Sequence, residues 1–350
     1  MEPASSDDTN PLNFFISNSQ FISNFARADA MIQLTSNSAL RVNNSRFIEN
    51  FSVGRGSVVF ADYQLVYVLF ESCDFIRNYA YQGGAFYVQY SSQIEVSNCY
   101  ITQNFAVTGG VAYVNNDGQI KINKGSRVFQ NSALNSCFLF LINSQYESQI
   151  DNVTITANDQ NNALIEKSSF LTFLDEDPVK NYLHFRMEFF KSMIQIYDKV
   201  TRTINERADT AIYAIKAKIN LTNTEIYDND VILSASTESV VSLVNTTIRD
   251  IKASSRIITA VSSIIEFYKV RVRNITVVTG PSVPIDWKQF IISDQSESFL
   301  LQDPLATSDS GGILIAQNTI PPKDANGMIN NVYLPQGTAV TTPATQEITQ

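Results

Sequence analysis

The residues that could support catalysis are few and scattered along the chain. The single histidine, His184, lies in the segment YLHFRM without flanking glycines, and a lone histidine among aromatic residues is more often a packed or surface residue. The densest carboxylates, Asp175, Glu176 and Asp177, are consecutive, which is typical of a solvated loop rather than a calcium site. Because acid–base cleavage needs converging carboxylates and a base, we predict no catalytic residue, no metal site and no cofactor.

Tyrosines are the best evidence in the sequence for a binding surface. Eight of them fall between residues 63 and 113, and Tyr87 and Tyr113 lie 26 residues apart in similar surroundings. A tyrosine on a flat β surface can stack on a sugar or contact a protein, although strand propensity alone explains the same enrichment. We predict a contact face that includes Tyr87, Tyr90 and Tyr113, with an unknown protein or carbohydrate as its partner.

Composition limits the other classes of partner. Hydrophobic residues make up 44% of the 350 residues and charged residues only 17%, a balance typical of a β-rich chain with a neutral polar exterior. The net charge of −9 includes no basic stripe, which argues against nucleic acid as a partner. The longest apolar runs, VYVLF and CFLFLI, are too short for a membrane span.

The elements that must position these residues are predicted from a repeat. The group FIRN, which ends at Asn78, recurs as ITQN, which ends at Asn104, and the asparagines of six such groups are separated by 26, 28, 26, 27 and 27 residues. A period this regular indicates stacked structural repeats. The members of this column are Asn24, Asn50, Asn78, Asn104, Asn131 and Asn158, with Asn229 continuing it after a gap.

A second column of asparagines lies six residues upstream of the first. Ser72 and Gly125 substitute for asparagine in two of the copies. Asparagine tolerates the positive φ of a sharp corner, and amides stacked at about 4.8 Å can bond one another in a ladder. We therefore predict that both columns form corners and an asparagine ladder; the upstream members are Asn18, Asn44, Asn98, Asn152 and Asn223.

Small residues mark another predicted corner, five residues after the ladder asparagine. The pairs Gly83-Gly84 and Gly109-Gly110 lie there, and glycine suits a tight backbone approach. The wider column contains Ala30, Gly56, Gly84, Gly110 and Cys137.

The three cysteines are too few for a disulfide framework in a chain of this length. Cys73 and Cys99 share a column in which other copies carry serine, so we expect them to lie side by side as free thiols because parallel Cβ directions would strain a disulfide. Cys137 is expected to be a small core residue.

Within each repeat the apolar residues alternate, as at Ile94 and Val96 in IEVSN. Alternation with period two, broken at polar corners, predicts several short strands per repeat. A unit of 22 to 28 residues with about three strands has the size of one coil of a parallel β-helix. The predicted fold class is all-β, a right-handed single-stranded parallel β-helix solenoid of about ten or eleven coils.

The segments FIRNYAYQGGAFY and ITQNFAVTGGVAY resemble the repeats of polymorphic outer membrane proteins and related right-handed β-helix, pectin-lyase-like surface proteins. The resemblance covers residues 75–114 most closely and extends over about 14–160. It implies a right-handed parallel β-helix and a surface, adhesive or scaffolding role. The hydrolase branch of that fold uses paired aspartates and a Gly-His-Gly segment, and this sequence has no such segment.

The chain divides into five predicted regions. Residues 1–12 are expected to be a disordered lead, 13–165 regular coils, 166–200 an irregular coil with a loop insertion, and 201–300 degenerate coils with a cap. Residues 301–350, rich in proline and threonine, are expected to form an extended tail or linker.

These patterns favour a non-enzymatic structural or adhesive module of a larger surface or extracellular protein that presents flat strand faces to its partner. One alternative is a polysaccharide lyase or glycoside hydrolase with an unrecognised active site. Another is an intracellular scaffold, if Met1 is the true start.

Overall fold

A computed structural model describes residues 12–35, 37–158, 210–229, 231–253, 258–261, 263–268, 270–277, 291–293 and 299–302. The regular structure in these ranges consists of 31 β-strands, with no helix among them. Strands that neighbour each other in a sheet run parallel, as β-helix coils require. The predicted all-β parallel solenoid is confirmed, and its right-handedness stays a prediction.

The largest sheet has 17 strands in two runs, sheet 1a and sheet 1b, which share two long strands. Sheet 1a contains β4 (Ile32–Thr35), β8 (Val59–Asp62), β12 (Phe86–Val88), β16 (Ala112–Asn115), β20 (Leu139–Asp151), β22 (Thr210–Thr222), β24 (Val231–Ser236), β27 (Ile258–Val261) and β30 (Ile291–Ser293). Sheet 1b contains β1 (Leu12–Ser17), β5 (Ser38–Asn43), β9 (Val66–Glu71), β13 (Gln93–Ser97), β17 (Gln119–Asn123), β20 and β22 again, β25 (Val240–Val244), β28 (Ile264–Tyr268) and β31 (Phe299–Gln302).

Two smaller sheets complete the coils. Sheet 2 contains β2 (Gln20–Ile22), β6 (Arg46–Ile48), β10 (Asp74–Ile76), β14 (Tyr100–Thr102), β18 (Arg127–Phe129), β21 (Thr154–Thr156), β23 (Glu225–Tyr227), β26 (Thr247–Ala253) and β29 (Arg271–Val277). Sheet 3 contains β3 (Phe25–Ala26), β7 (Phe51–Ser52), β11 (Tyr79–Gln82), β15 (Phe105–Thr108) and β19 (Ser132–Asn135).

The sequence period equals one coil of the solenoid. Phe75 in β10 pairs with Ile101 in β14, and Ile94 in β13 pairs with Ile120 in β17, each 26 residues away. Equivalent residues of successive repeats therefore lie directly above one another.

The hydrophobic core lies inside the coils, where alternate residues of each strand point inward. The rings of Phe47 and Phe75 stack with centroids 5.2 Å apart and planes 4° apart, and both side chains are fully buried. Burying such a side chain contributes about 1.5 to 3 kcal/mol. Each coil covers the apolar side chains of its neighbour, so the core runs the length of the stack.

Two coils that are far apart in sequence stack directly on each other. The Asn158 backbone N–H donates to Asn229 Oδ1 at 2.9 Å, and β21 pairs with β23. The coil that contains Asn229 is therefore the immediate neighbour of the coil that contains Asn158. The coil count differs from the predicted ten or eleven: among the described residues sheet 2 has nine strands, and β31, the tenth strand of sheet 1b, has no described counterpart in sheet 2.

Several predicted regions fall outside the described residues. They include residues 1–11 of the lead, the proposed irregular coil 166–200 and the tail from 303 onward. Those regions stay predictions.

Candidate functional site

The downstream asparagine column forms a buried amide ladder. The Asn78 backbone N–H and side-chain Nδ2 both donate to Asn104 Oδ1, at 3.0 and 2.9 Å, and Nδ2 also donates to the Phe47 carbonyl oxygen. Asn104 repeats this pattern toward Asn131 and Phe75. Buried amides need such partners. The ladder is confirmed for Asn24, Asn50, Asn78, Asn104, Asn131, Asn158 and Asn229.

The upstream column forms the predicted corner, but its side chains do not belong to the buried ladder. Its asparagines are exposed and have φ between 48° and 54°, so they form the corner without belonging to a buried ladder. Asn98 donates to Ser72 Oγ and Asn223 donates to Asp151 Oδ1. Lys124, with φ of 54°, takes this corner position in the copy where we expected Gly125. The column comprises Asn18, Asn44, Asn98, Asn152 and Asn223.

The predicted turn glycines lie at a crowded corner between sheets 3 and 1a. Gly83 and Gly109 have φ of 68° and 69°, a region in which glycine has no steric cost. A Cβ on Gly84 would lie 2.0 Å from the Gly110 carbonyl oxygen, and one on Gly110 would lie 2.2 Å from that of Cys137. The backbones of adjacent coils approach so closely at Gly84 and Gly110 that any Cβ at either position would overlap a backbone oxygen.

One register in this corner differs from the prediction. The N–H of Gly56 donates to Gln82 in the same way that Gly83 donates to Thr108. Gly56 therefore aligns with Gly83, and Ser57 takes the place next to Gly84.

Cys73 and Cys99 are buried, free and stacked on adjacent coils, as predicted. The Cys73 backbone N–H donates to Cys99 Sγ at 3.3 Å, and in the next coil Ser126 Oγ accepts from the Cys99 N–H at 3.1 Å. In this column the thiol of Cys99 and the hydroxyl of Ser126 thus both accept a hydrogen bond from a backbone N–H of the preceding coil. The hydrogen bond with Cys73, followed by burial, raises the pKa of Cys99.

Tyr87 and Tyr113 belong to an aromatic row on the face of sheet 1a that points away from the main core. Their rings stack with centroids 5.1 Å apart and planes 3° apart, yet their exposed fractions are only 4% and 9%. Burial raises the pKa of Tyr113 to about 12. The prediction that these two tyrosines lie on an open contact face is wrong. The row consists of Phe60, Tyr87, Tyr113, Phe140 and Tyr213.

Tyr90, the third tyrosine of the predicted face, is 45% exposed and lies in an open groove. The groove follows the turns that connect sheet 1a to sheet 1b, so it lies at a corner of the solenoid rather than on a flat strand face. Its volume is about 590 Å³, and the ring of Tyr63 lies 5.8 Å from that of Tyr90. The lining residues are Gln64, Tyr90, Ser91, Asn116, Asp117, Asn143, Gln145 and Lys216.

Backbone conformation directs these side chains outward. Tyr90, Ser91, Asn116 and Asp117 have φ between 44° and 65°, a conformation that is uncommon for a tyrosine. Backbone bonds between coils hold the turns in place: the Tyr90 N–H donates to the Asn116 carbonyl oxygen at 2.8 Å. The turns therefore form a fixed wall, to which the three inner coils contribute two lining residues each and the two outer coils one each.

The groove contains many groups that can form hydrogen bonds and little net charge. The side-chain amides of Gln64, Asn116 and Asn143 have no hydrogen-bonding partner among the described residues. Asp117 Oδ1 accepts from the Gln145 backbone N–H at 2.8 Å, and Lys216 is the only cation in the lining. Such a surface can bind a neutral polar ligand from several sides.

We identified Tyr90 from the sequence but not the other seven residues of the lining. The signal was present as polar pairs at the coil spacing, since Tyr90-Ser91 and Asn116-Asp117 lie 26 residues apart. These pairs have the composition of ordinary turns, so only the stacking of coils distinguishes them as a groove.

Comparisons with known proteins gave no relative: no family model, curated protein or solved structure matches the chain. Within the described ranges, no three histidine, cysteine, aspartate or glutamate residues are grouped as a metal site would require. The same ranges contain no helix that is long and apolar enough to span a bilayer.

Proposed function

We propose that the chain is a non-enzymatic binding module of a larger surface protein, and that its corner groove holds a linear, uncharged carbohydrate chain. The observation that supports this most is the exposed Tyr90 ring among amides that have no described partner. A sugar presents apolar C–H faces and hydroxyl groups, which match an aromatic ring and amides respectively. The resemblance of residues 75–114 to repeats of surface proteins supports the proposal that the chain belongs to a surface protein.

The length of the groove supports a polymer rather than a single sugar. Its lining begins at Gln64 and ends at Lys216, which lie four coils apart. At about 4.8 Å per coil the wall is about 19 Å long. The three inner coils each offer two lining residues, so successive sugar units there would meet hydrogen-bonding groups at the spacing of the coils.

The charge of the lining supports binding without cleavage. Hydrolysis of a glycosidic bond in most enzymes requires two carboxyl groups on either side of the bond. The lining contributes one, Asp117, and its Oδ1 already accepts a hydrogen bond from the backbone.

The proposal can be tested by isothermal titration calorimetry with the neutral oligosaccharides cellohexaose, xylohexaose and mannohexaose. We expect at least one of them to bind, and Tyr90→Ala to weaken its affinity about tenfold through loss of ring contact. Tyr100→Ala is the matched control, because Tyr100 is 40% exposed on sheet 2, outside the groove. The proposal fails if none binds, or if Tyr90→Ala has no effect.

A further inference from the structure

The chain contains six Asn-x-Ser/Thr sequons, the tripeptides that accept N-linked glycans. The structure describes the side chains of five of these asparagines, and their surroundings differ. A glycan is bulky and belongs in solvent, so only an asparagine on the surface of the folded chain can carry one. The six asparagines are Asn43, Asn50, Asn152, Asn220, Asn245 and Asn274.

Asn50 is excluded by its place in the buried ladder. Its exposed fraction is 0%, and both hydrogens of its Nδ2 are used. One hydrogen is donated to the Phe21 carbonyl oxygen at 3.0 Å and the other to Asn78 Oδ1 at 2.9 Å. A glycan would replace one of these hydrogens and would have to occupy the core. The folded chain therefore cannot carry a glycan at this sequon.

Asn152 and Asn245 have the opposite surroundings. Both are exposed at the corner between sheet 1b and sheet 2, with φ of 54° and 48°. The side-chain amide of Asn152 has no hydrogen-bonding partner among the described residues. Asn245 Nδ2 donates to Asn223 Oδ1 at 2.7 Å. A glycosylated Nδ2 keeps one hydrogen, so this bond can persist.

The hydroxyl residue of these two sequons is also at the surface. Thr154 and Thr247 are the first residues of β21 and β26, and both are half-buried on the outer side of the strand. In the sequon of the exposed Asn43, by contrast, Ser45 is 1% exposed and its hydroxyl donates to the Asn43 carbonyl oxygen. Asn220 is itself half-buried in β22. Only the two corner sequons thus present both asparagine and hydroxyl, among the five whose side chains are described.

We propose that Asn152 and Asn245 are N-glycosylation sites, and that this corner is a glycan-bearing edge of the solenoid. The inference rests on the surface location proposed above, because the reaction takes place in the secretory pathway. The donor is an oligosaccharide linked to a lipid through a diphosphate. Nδ2 forms a bond to C1 of the first sugar, and the bond from C1 to the diphosphate oxygen breaks. The lipid diphosphate leaves and Nδ2 loses one proton.

The two sites lie close together and away from the groove. One coil separates them, because β23 pairs with both β21 and β26, so the attachment points are about 10 Å apart. The groove lies at the other end of the sheet 1b strands. A five-residue strand such as β25 is about 16 Å long. The glycans therefore begin on a different edge from the one that holds the groove.

The test directs the full chain into the secretory pathway of cultured mammalian cells. Peptide-N-glycosidase in water enriched in heavy oxygen converts each glycan-bearing asparagine into a labelled aspartate, which peptide mass spectrometry locates. We expect label at Asn152 and Asn245 and none at Asn50. Both the secreted chain and the chain held in the endoplasmic reticulum are analysed, so that poor secretion does not prevent the measurement.

Glu225→Thr is the matched variant that adds a site. It completes a sequon at Asn223, which lies at the same exposed corner in the coil between the two sites. We expect one additional glycan, seen as a further decrease in gel mobility. Asn223→Gln leaves both natural sequons intact and should leave the number of glycans unchanged.

The proposal is overturned if Asn152 or Asn245 is unlabelled in both fractions, or if the secreted chain is labelled at Asn50. It is also overturned if Glu225→Thr adds no glycan. The oligosaccharide titrations described above use unglycosylated chain produced in bacteria. Failure of the groove and failure of the glycosylation sites are therefore observed in separate experiments.

Discussion

At the scale of single residues, asparagine has two separate roles in this solenoid. In the downstream column the side chain links coils through its amide and is buried in every member after Asn24, as at Asn104. In the upstream column the side chain is exposed, and its contribution is a backbone that accepts positive φ, as at Asn98. The residue before the ladder asparagine, such as Gln103 with φ of 57°, forms the other corner.

These two roles predict different responses to substitution. Asn104→Leu should lower the free energy of unfolding by about 1 to 3 kcal/mol, because it leaves the partners of a buried amide unsatisfied. Asn98→Gly should cost less than about 1 kcal/mol, because glycine keeps the required conformation at a small entropic cost. Urea unfolding followed by circular dichroism measures both. Equal losses would show that the columns do not differ.

At the scale of the coil, the corner before sheet 1a sets how closely neighbouring backbones approach. Gly84→Ala places a methyl group where the Gly110 carbonyl oxygen lies, 2.0 Å away, and backbone atoms cannot move aside cheaply. We expect a loss of at least about 3 kcal/mol in the free energy of unfolding.

Gly125→Ala is the matched control for that substitution. No heavy atom lies within 4 Å of the position that its new methyl group would occupy, although its φ is 77°. Its cost should be limited to the backbone strain, about 1 to 2 kcal/mol. A smaller loss in the free energy of unfolding for Gly84→Ala than for Gly125→Ala would contradict the close approach of the two backbones at Gly84.

The strands and corners could be predicted from the sequence because each depends on local chemistry that recurs with the coil. Alternation in IEVSN fixes which residues point inward, and the spacing of Asn78 and Asn104 fixes the register. The burial of Tyr87 could not be predicted this way, because alternation only places it on the outer face of β12. Its exposure depends on packing within the aromatic row of neighbouring coils.

The groove could be predicted only in part for a similar reason. The aromatic side chain of Tyr90 indicates a binding residue from the sequence alone. Asn116 and Asn143 have the composition of ordinary turns, and only the stacking of the coils places them in the same groove. Whether a column of asparagines forms the buried ladder depends on whether its side chains point into the coil or toward solvent. The repeat spacing alone does not give that direction. The roles of Asn98 and Asn104 were therefore separated only by the structure.

At the scale of the whole molecule, the described coils before residue 159 and after residue 209 form one continuous stack. Because Asn158 bonds to Asn229 and β21 pairs with β23, Arg46 and Glu225 lie five strands apart in sheet 2 despite their separation in sequence. Five steps of about 4.8 Å give about 24 Å between their Cα atoms.

The most direct measurement is the distance between nitroxide labels at positions 46 and 225, determined by double electron–electron resonance. The three buried cysteines would be replaced by the residues of equivalent coils, with serine at Cys73 and Cys99 and glycine at Cys137. We predict a single narrow distribution near about 24 Å. A mean near about 34 Å would place two additional coils between these positions, and a broad distribution would contradict the stacked solenoid itself.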